Sequence, residues 1–358
     1  MSHPDDALLH QKARELLDAV LITHAPGGRE QEMDRVCLPL LKALAERVWR
    51  DRQGNIIAQV ADGDGPSLGV FAHRDEIAAM VSRIHEDGKM ELEPLGGSCP
   101  WAFGEGPWEV LGHEPVAGVL GVGSAHVSHL SENINALKTS RALTWSDVRL
   151  DCKLKPEELA ERGVTVGSPA CVARSRKQPL YMGDFVGGYA LDDKAGVVAL
   201  LLAAELLREG PTPQGKVYLV LTGIEEVGAM GALQVPFQVP LDAVLAVETF
   251  PIAPEYPVEI GPTPVVVYKD SVALYSPRLS HALAEATKRA VGSVQRSVAR
   301  SFGTDAGSLL KTGLVPYAAV LGFPTEYTHG FEVAHVGGVV NCARATAEFA
   351  RTFMEAFS

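Results

Sequence analysis

With 358 residues, 46% hydrophobic and 21% charged, the chain can build a large buried core and more than one domain. A formal net charge of -12 argues against a nucleic-acid partner, which would call for a basic face. Cys37, Cys99, Cys152, Cys171 and Cys342 are odd in number and lack Cys-x-x-Cys spacing, so neither a disulfide framework nor a zinc ribbon is expected.

The polar, acidic opening Met1-Ser2-His3-Pro4-Asp5-Asp6 has no basic segment leading into an apolar one, so a cytoplasmic location is the expectation. Apolar residues at three- and four-residue spacing predict helices from about Ala7 to Leu21 and from about Glu30 to Val48, the second kinked at Pro39. The run Ser67 to Ala72 reads as a buried strand that stops at His73. From about Ile77 to Arg174 the pattern changes to short alternating runs, such as Lys89 to Glu93 and Val116 to Gly121, separated by Gly and Pro. That favours a small β domain inserted at 77–174, splitting a catalytic domain of 1–76 and 175–358. Gly96 to Gly106 lacks the helix of a phosphate cradle and reads as a mobile loop, while His113, His126 and His129 need no metal. Helix and strand then alternate: an apolar helix over Val197 to Leu207, too short to cross a bilayer, and strands over Lys216 to Leu221, Ala243 to Val247 and Val315 to Leu321. The fold class expected is α/β, a mixed and mostly parallel sheet sandwiched by helices, with the inserted β domain.

Chemistry-bearing residues gather at the ends of these elements. His73 leaves a strand tip, Asp192 and Asp193 precede the apolar helix, Glu225 and Glu226 follow a strand, Glu248 ends another, and His329 follows the last. Each has an ordinary reading: an Asp before a helix can be an N-cap, and a Glu pair can be a solvated turn. Together they occupy the edge where parallel sheets collect ligands. Two His and three carboxylates, His73, Asp192, Glu226, Glu248 and His329, suit borderline divalent ions such as Zn²⁺, Co²⁺ or Mn²⁺. Five ligands exceed the need of one catalytic ion, and a carboxylate shared by two ions would use them all. Asp75, two residues after His73, could accept the other ring N–H and fix its tautomer.

The run Ala72-His73-Arg74-Asp75-Glu76-Ile77, then Ala190 to Gly196, Glu225-Glu226-Val227-Gly228, Gly303-Thr304-Asp305-Ala306-Gly307 and the late His329 resemble the tetrahedral aminopeptidases, the forty-second family of metallopeptidases. Asp147 to Asp151 and Glu157 to Gly167 resemble its middle segment, so the likeness covers nearly the whole chain. The resemblance implies that Asp192 bridges two metals, with His73 and a carboxylate on one and Glu226 and His329 on the other. It implies Glu225 as general base, Asp75 supporting His73, and a cis peptide before Asp193. Glu248 stands where the family usually has Asp, and Ala78-Ala79 replaces its usual Gly-aromatic pair. Short peptides as substrate, and dimers formed through the insertion that assemble into tetrahedral dodecamers, are likewise implied. Neither a nucleic acid nor a membrane is expected as a partner.

The chemistry expected is hydrolysis by water acidified between two cations, with Glu225 carrying its proton to the leaving amine. A related deacylase or carboxypeptidase would share these elements but add an Arg for a substrate carboxylate, and a silent scaffold would have no need of Glu225. Serine hydrolysis is disfavoured because Ser301 to Ser308 lacks a nucleophile elbow. Glycoside hydrolysis, a label attached to some relatives, needs an acid and a base flanking a sugar bond. Asp305, in the Gly303-Thr304-Asp305 turn, is expected to line the substrate pocket.

Overall fold

The computed structural model describes residues 4–357, so the opening Met1 to His3 lies outside the described residues. Helices α1 (Pro4–Leu21) and α2 (Gln31–Leu44) lead into strands β1 (Arg47–Arg50), β2 (Ile56–Asp62) and β3 (Gly65–His73). The chain then leaves for β4 (Ala78–Ile84), β5 (Met90–Leu95), β6 (Gly106–Leu111), β7 (Pro115–Gly121), β8 (Arg149–Asp151) and β9 (Pro169–Val172). Short helices α3 (Pro100–Phe103), α4 (Glu132–Thr139) and α5 (Pro156–Glu161) lie between them. It returns through β10 (Leu180–Met182), β11 (Phe185–Tyr189), α6 (Leu191–Glu209), β12 (Gly215–Thr222), β13 (Ala243–Pro251) and β14 (Val265–Val267). The last elements are α7 (Pro277–Val291), β15 (Gln295–Ser297), α8 (Asp305–Lys311), β16 (Tyr317–Glu326), β17 (Phe331–His335) and α9 (Val336–Thr352).

Eleven strands form one mixed sheet in the order β1-β2-β12-β3-β13-β16-β17-β11-β10, with β14 and β15 branching from β16. The centre, β12-β3-β13-β16, is parallel, and the strands flanking it are antiparallel. Thr222 pairs with His73 in register, so the carboxyl ends of β12 and β3 emerge side by side, with β13 next to them. Burial of both faces explains why β3 reads as a continuous apolar run. Leu68, Val70 and Ala72 join the core beneath α1, α6, α7 and α9, whereas Phe71 joins the core of the opposite face with Leu309 of α8. At Gly69 a Cβ would come within 2.6 Å of the Phe71 ring and 2.8 Å of Leu241, so any larger residue would push these packed side chains aside.

The six strands β4-β5-β8-β7-β6-β9 close into a small barrel with a core of its own, where Trp108 is fully buried and meets Phe103 edge-to-face at 5.2 Å. Two expectations change. The second helix stops at Leu44, and Arg47–Arg50 pairs with β2 instead. A turn makes that hairpin: Asp51 Oδ1 accepts the amides of Gln53 and Asn55 (both 2.9 Å), which sends the chain back. The Gly96 to Gly106 segment contains the turn of helix α3 and sits against the site, as described below. Among the described residues, no helix is long and apolar enough to cross a membrane.

Candidate metal centre

His73, the last residue of β3, is buried, with 2% of its surface exposed. Its Nδ1–H donates to the carbonyl of Asp75 (3.1 Å), and its Nε2 faces Asp192 Oδ1 at 3.0 Å. His329 is arranged alike: Nδ1–H donates to the Gly97 carbonyl (2.8 Å), and Nε2 faces Asp192 Oδ2 at 3.5 Å. A carbonyl only accepts, so each fixes the Nδ1–H tautomer and turns Nε2 inward. Asp192 thus lies between two imidazoles, one per carboxylate oxygen. Its presentation comes from the start of α6, where Ala190 adopts φ 60° and the Asp192–Asp193 peptide is cis.

The remaining carboxylates close around this pair. Glu248 Oε1 and Glu225 Oε2 lie 3.8 Å and 3.9 Å from His73 Nε2, and Glu226 Oε2 lies 3.8 Å from His329 Nε2. Ligand atoms of His73, Asp192 and Glu226 fall within 4.8 Å of one another, as do those of His73, Asp193 and Glu248. Burial pushes the Glu226 carboxyl up to about 7, and burial together with neighbouring carboxylates raises Glu225 and Glu248 well above the usual range. For His329, burial works against the charge, but the hydrogen bond to Asp192 together with the negative charges of Glu226 and Asp192 holds the ring up at about 11. Glu226 Oε1 is buried without a hydrogen-bond partner. An orphaned carboxylate oxygen inside a cluster of N and O donors, with no thiolate, fits a borderline divalent cation.

Asp75 differs from expectation. Its carboxylate is 3.6 Å from His73 Nδ1 and instead accepts the amides of Glu225 (3.0 Å) and Glu226 (3.2 Å). It therefore ties down the turn after β12, while its carbonyl orients His73. Asp305 also differs: it lies below the cavity wall, its Oδ2 accepting from Thr222 Oγ1 (2.5 Å), and burial pushes it up to about 6.

Two buried groups carry no strong sequence signal. Glu332, 1% exposed, accepts the Asp192 amide on Oε2 (3.0 Å) and the His329 amide on Oε1 (2.9 Å), so one carboxylate sets the backbone of both residues. The three-residue step from His329 is its only trace in the sequence. Glu76 receives two buried ammonium groups, Lys177 (2.5 Å) and Lys194 (2.8 Å). Its grouping with His24 and Cys171 resembles a ligand set, but those two cations occupy the carboxylate.

His73, Asp192, Glu225, Glu226, Glu248 and His329 all line one open cavity of about 580 Å³ at the carboxyl edge of the sheet. Gly97, Cys99, Trp101 and Ala102, from the loop between β5 and β6, supply part of its wall.

The sequence profile of the M42 glutamyl aminopeptidase family matches residues 54–344. The chain belongs to this family. This M42 chain is thereby a peptide-bond hydrolase by descent. It is 26% identical to a putative aminopeptidase of Acetivibrio thermocellus, over 90% of this chain and 93% of that protein. It is 27% identical to the lysyl aminopeptidase of Pyrococcus furiosus, over 95% and 96%. In fold, the M42 chain matches the TET1 peptidase of Pyrococcus horikoshii, which can assemble into a tetrahedron or a large octahedral shell. That match has a TM-score of 0.81 and 24% identity, covering 94% of this chain and 99% of that one.

Proposed function

We propose that this chain is a dinuclear metal-dependent aminopeptidase that removes N-terminal residues from short peptides. The observation that carries the reading is Asp192 standing between the two inward Nε2 atoms of His73 and His329, one on each carboxylate oxygen. In this reading His73, Asp192 and Glu248 hold one ion, and Asp192, Glu226 and His329 the other, most simply Zn²⁺ with Co²⁺ or Mn²⁺ as alternatives. When bound, such ions acidify water and polarise a carbonyl.

The protein's own groups do the rest. Glu225 lines the cavity beside His73 and is the base that takes the water proton and returns it to the leaving amine. Asp75 holds the Glu225 amide, so the base is aimed from a fixed backbone. Glu332 keeps Asp192 and His329 in mutual register through their amides. The deacylase alternative would need a cation for a substrate carboxylate, and among the described residues none lining the cavity is Lys or Arg.

A homo-oligomer in the cytoplasm completes the reading, with the 77–174 insertion as the dimerising unit and a tetrahedral dodecamer as the product. Support comes from the assemblies of the P. horikoshii peptidase and from exposed Val119, Leu130 and Val166 on the insertion. The test is protein stripped of metal, reloaded with Zn²⁺, Co²⁺ or Mn²⁺, and offered free and N-acylated dipeptides, with its mass measured by light scattering. Metal-dependent cleavage of the free set is expected. Cleavage confined to the acylated set, or untouched by metal removal, would sink the proposal.

A further inference from the structure

We propose that the N-terminal side chain this enzyme accepts is uncharged and largely apolar, of the Leu or Met kind, and not the acidic one in the family's description. The inference rests on the aminopeptidase reading above. An acidic side chain leaving water needs a cation to meet it, and a lysine needs a free carboxylate. The cavity wall offers neither. Its carboxylates are those already facing His73 and His329, and Asp305 is committed below to Thr222. The cations near the lining in sequence are also engaged elsewhere: Arg74 donates to Asp34 (2.8 Å), Lys194 to Glu76 (2.8 Å) and Lys269 Nζ to the Asp270 carbonyl (2.7 Å), and Arg300 is exposed and outside the lining.

What remains is uncharged: apolar side chains from separate segments, Val272, Phe302, Pro251 and Trp101, interleaved with Ser and Thr hydroxyls that carry no charge to meet an acid or an ammonium group. It is a built wall. Asp270, fully buried, accepts the amides of Val272 and Ala273 (both 2.7 Å) and the hydroxyl of Tyr275, and Tyr275 in turn meets Thr304 Oγ1 at 3.0 Å. Ser271 donates its amide (3.0 Å) and hydroxyl (2.7 Å) to the Phe302 carbonyl, locking the two segments together. A Cβ on Gly303 would come within 2.5 Å of Val272 Cγ2, so the loop fits only with glycine there. The Val272 and Phe302 side of the wall, pinned this way, cannot open to admit a hydrated charge without breaking these bonds.

The test measures kcat/KM of the metal-loaded oligomer on aminoacyl p-nitroanilides of Leu, Met, Glu and Lys. In parallel, calorimetry follows the binding of free leucine and free glutamate. Leu and Met should exceed Glu and Lys by about tenfold or more, the discrimination expected when a pocket has no partner for a charge. Leucine should bind more tightly than glutamate. Val272→Arg should move the Glu-to-Leu ratio up by about tenfold, with Val272→Met, matched for bulk, leaving the ratio unchanged. Glu or Lys cleaved as well as Leu would overturn the inference. Hydrolysis of none of the four would count against the aminopeptidase reading, and glutamate binding as tightly as leucine would then overturn the pocket assignment by itself.

Discussion

Glu225 and Glu226 share a peptide bond but face different partners. Glu225 looks to His73 at 3.9 Å and Glu226 to His329 at 3.8 Å, while Asp75 grips both backbone amides. Because the amides are fixed, each side chain keeps its own direction, and the two substitutions should have different signatures. Glu225→Gln removes a proton carrier while leaving the five proposed ligands untouched. It should lower kcat by roughly 10²–10⁴-fold at unchanged metal content. Glu226→Gln removes a ligand oxygen and should lower metal content, measured by atomic emission on desalted protein, with activity recovering in part at high added metal. Equal metal loss in both variants would mean that Glu225 is a ligand and not the base.

At the scale of elements, the end of β3 is fastened to its surroundings by charge. Glu76 meets Lys194 from α6 and Lys177 from the segment that returns from the barrel, and both ammonium groups also donate to the Thr23 carbonyl just after α1. Burial opposes ionisation of Glu76, yet the two cations hold it down at about 2, and burial brings Lys194 down to about 8. Glu76→Gln would leave two buried ammonium groups without their counterion, which should cost about 3–5 kcal/mol in guanidinium unfolding. A loss below ~1 kcal/mol would mean that water reaches the cluster. None of this is visible along the chain. The residues at or near the carboxyl ends, His73 closing β3 and Glu225 just after β12, are readable because these strands are covered on both faces and appear as apolar runs. Glu248, expected to end its strand, instead lies inside β13, which runs on to Pro251. The grip of Asp75 on the Glu225 and Glu226 amides follows from Thr222 lying opposite His73, and Glu332 reaches Asp192 because β17 pairs with β11. Such registers join residues more than a hundred positions apart, beyond any local pattern. The four residues of β1 fail for the opposite reason: the run is too short for periodicity to speak, and the turn at Asp51 decides.

At the scale of the whole molecule, barrel and sheet meet at the cavity, since Gly97 of the insertion accepts from His329 Nδ1. The same meeting point concentrates buried acids. In the metal-free protein Asp305 is pushed up to about 6, Glu226 to about 7 and Glu332 to about 8, in each case first by burial. All three therefore hold protons in the folded state at pH values where the unfolded chain has released them. His329, held up at about 11 by Asp192 against its burial, does the same above pH ~6.5. The folded state then binds more protons than the unfolded one, and by linkage stability must fall as pH rises, here from about pH 5 to 8. Opposite shifts act mostly outside this window: depressed carboxylates such as Glu76, at about 2, matter below it, and Lys194, depressed to about 8, matters above it. Inside it His335, lowered by burial, opposes the larger group of raised acids and His329. Divalent cations at the cluster would take over the neutralising role of those protons, so their stabilisation should grow with pH. Chelator-treated and metal-loaded protein, unfolded in denaturant at half-unit steps from pH 5.5 to 8, should diverge steadily. The metal-free form should weaken while the loaded form changes little. A gap that stays constant would mean that the cluster releases no protons to the metal, and that the carboxylates around Asp192 are already ionised and balanced within the protein.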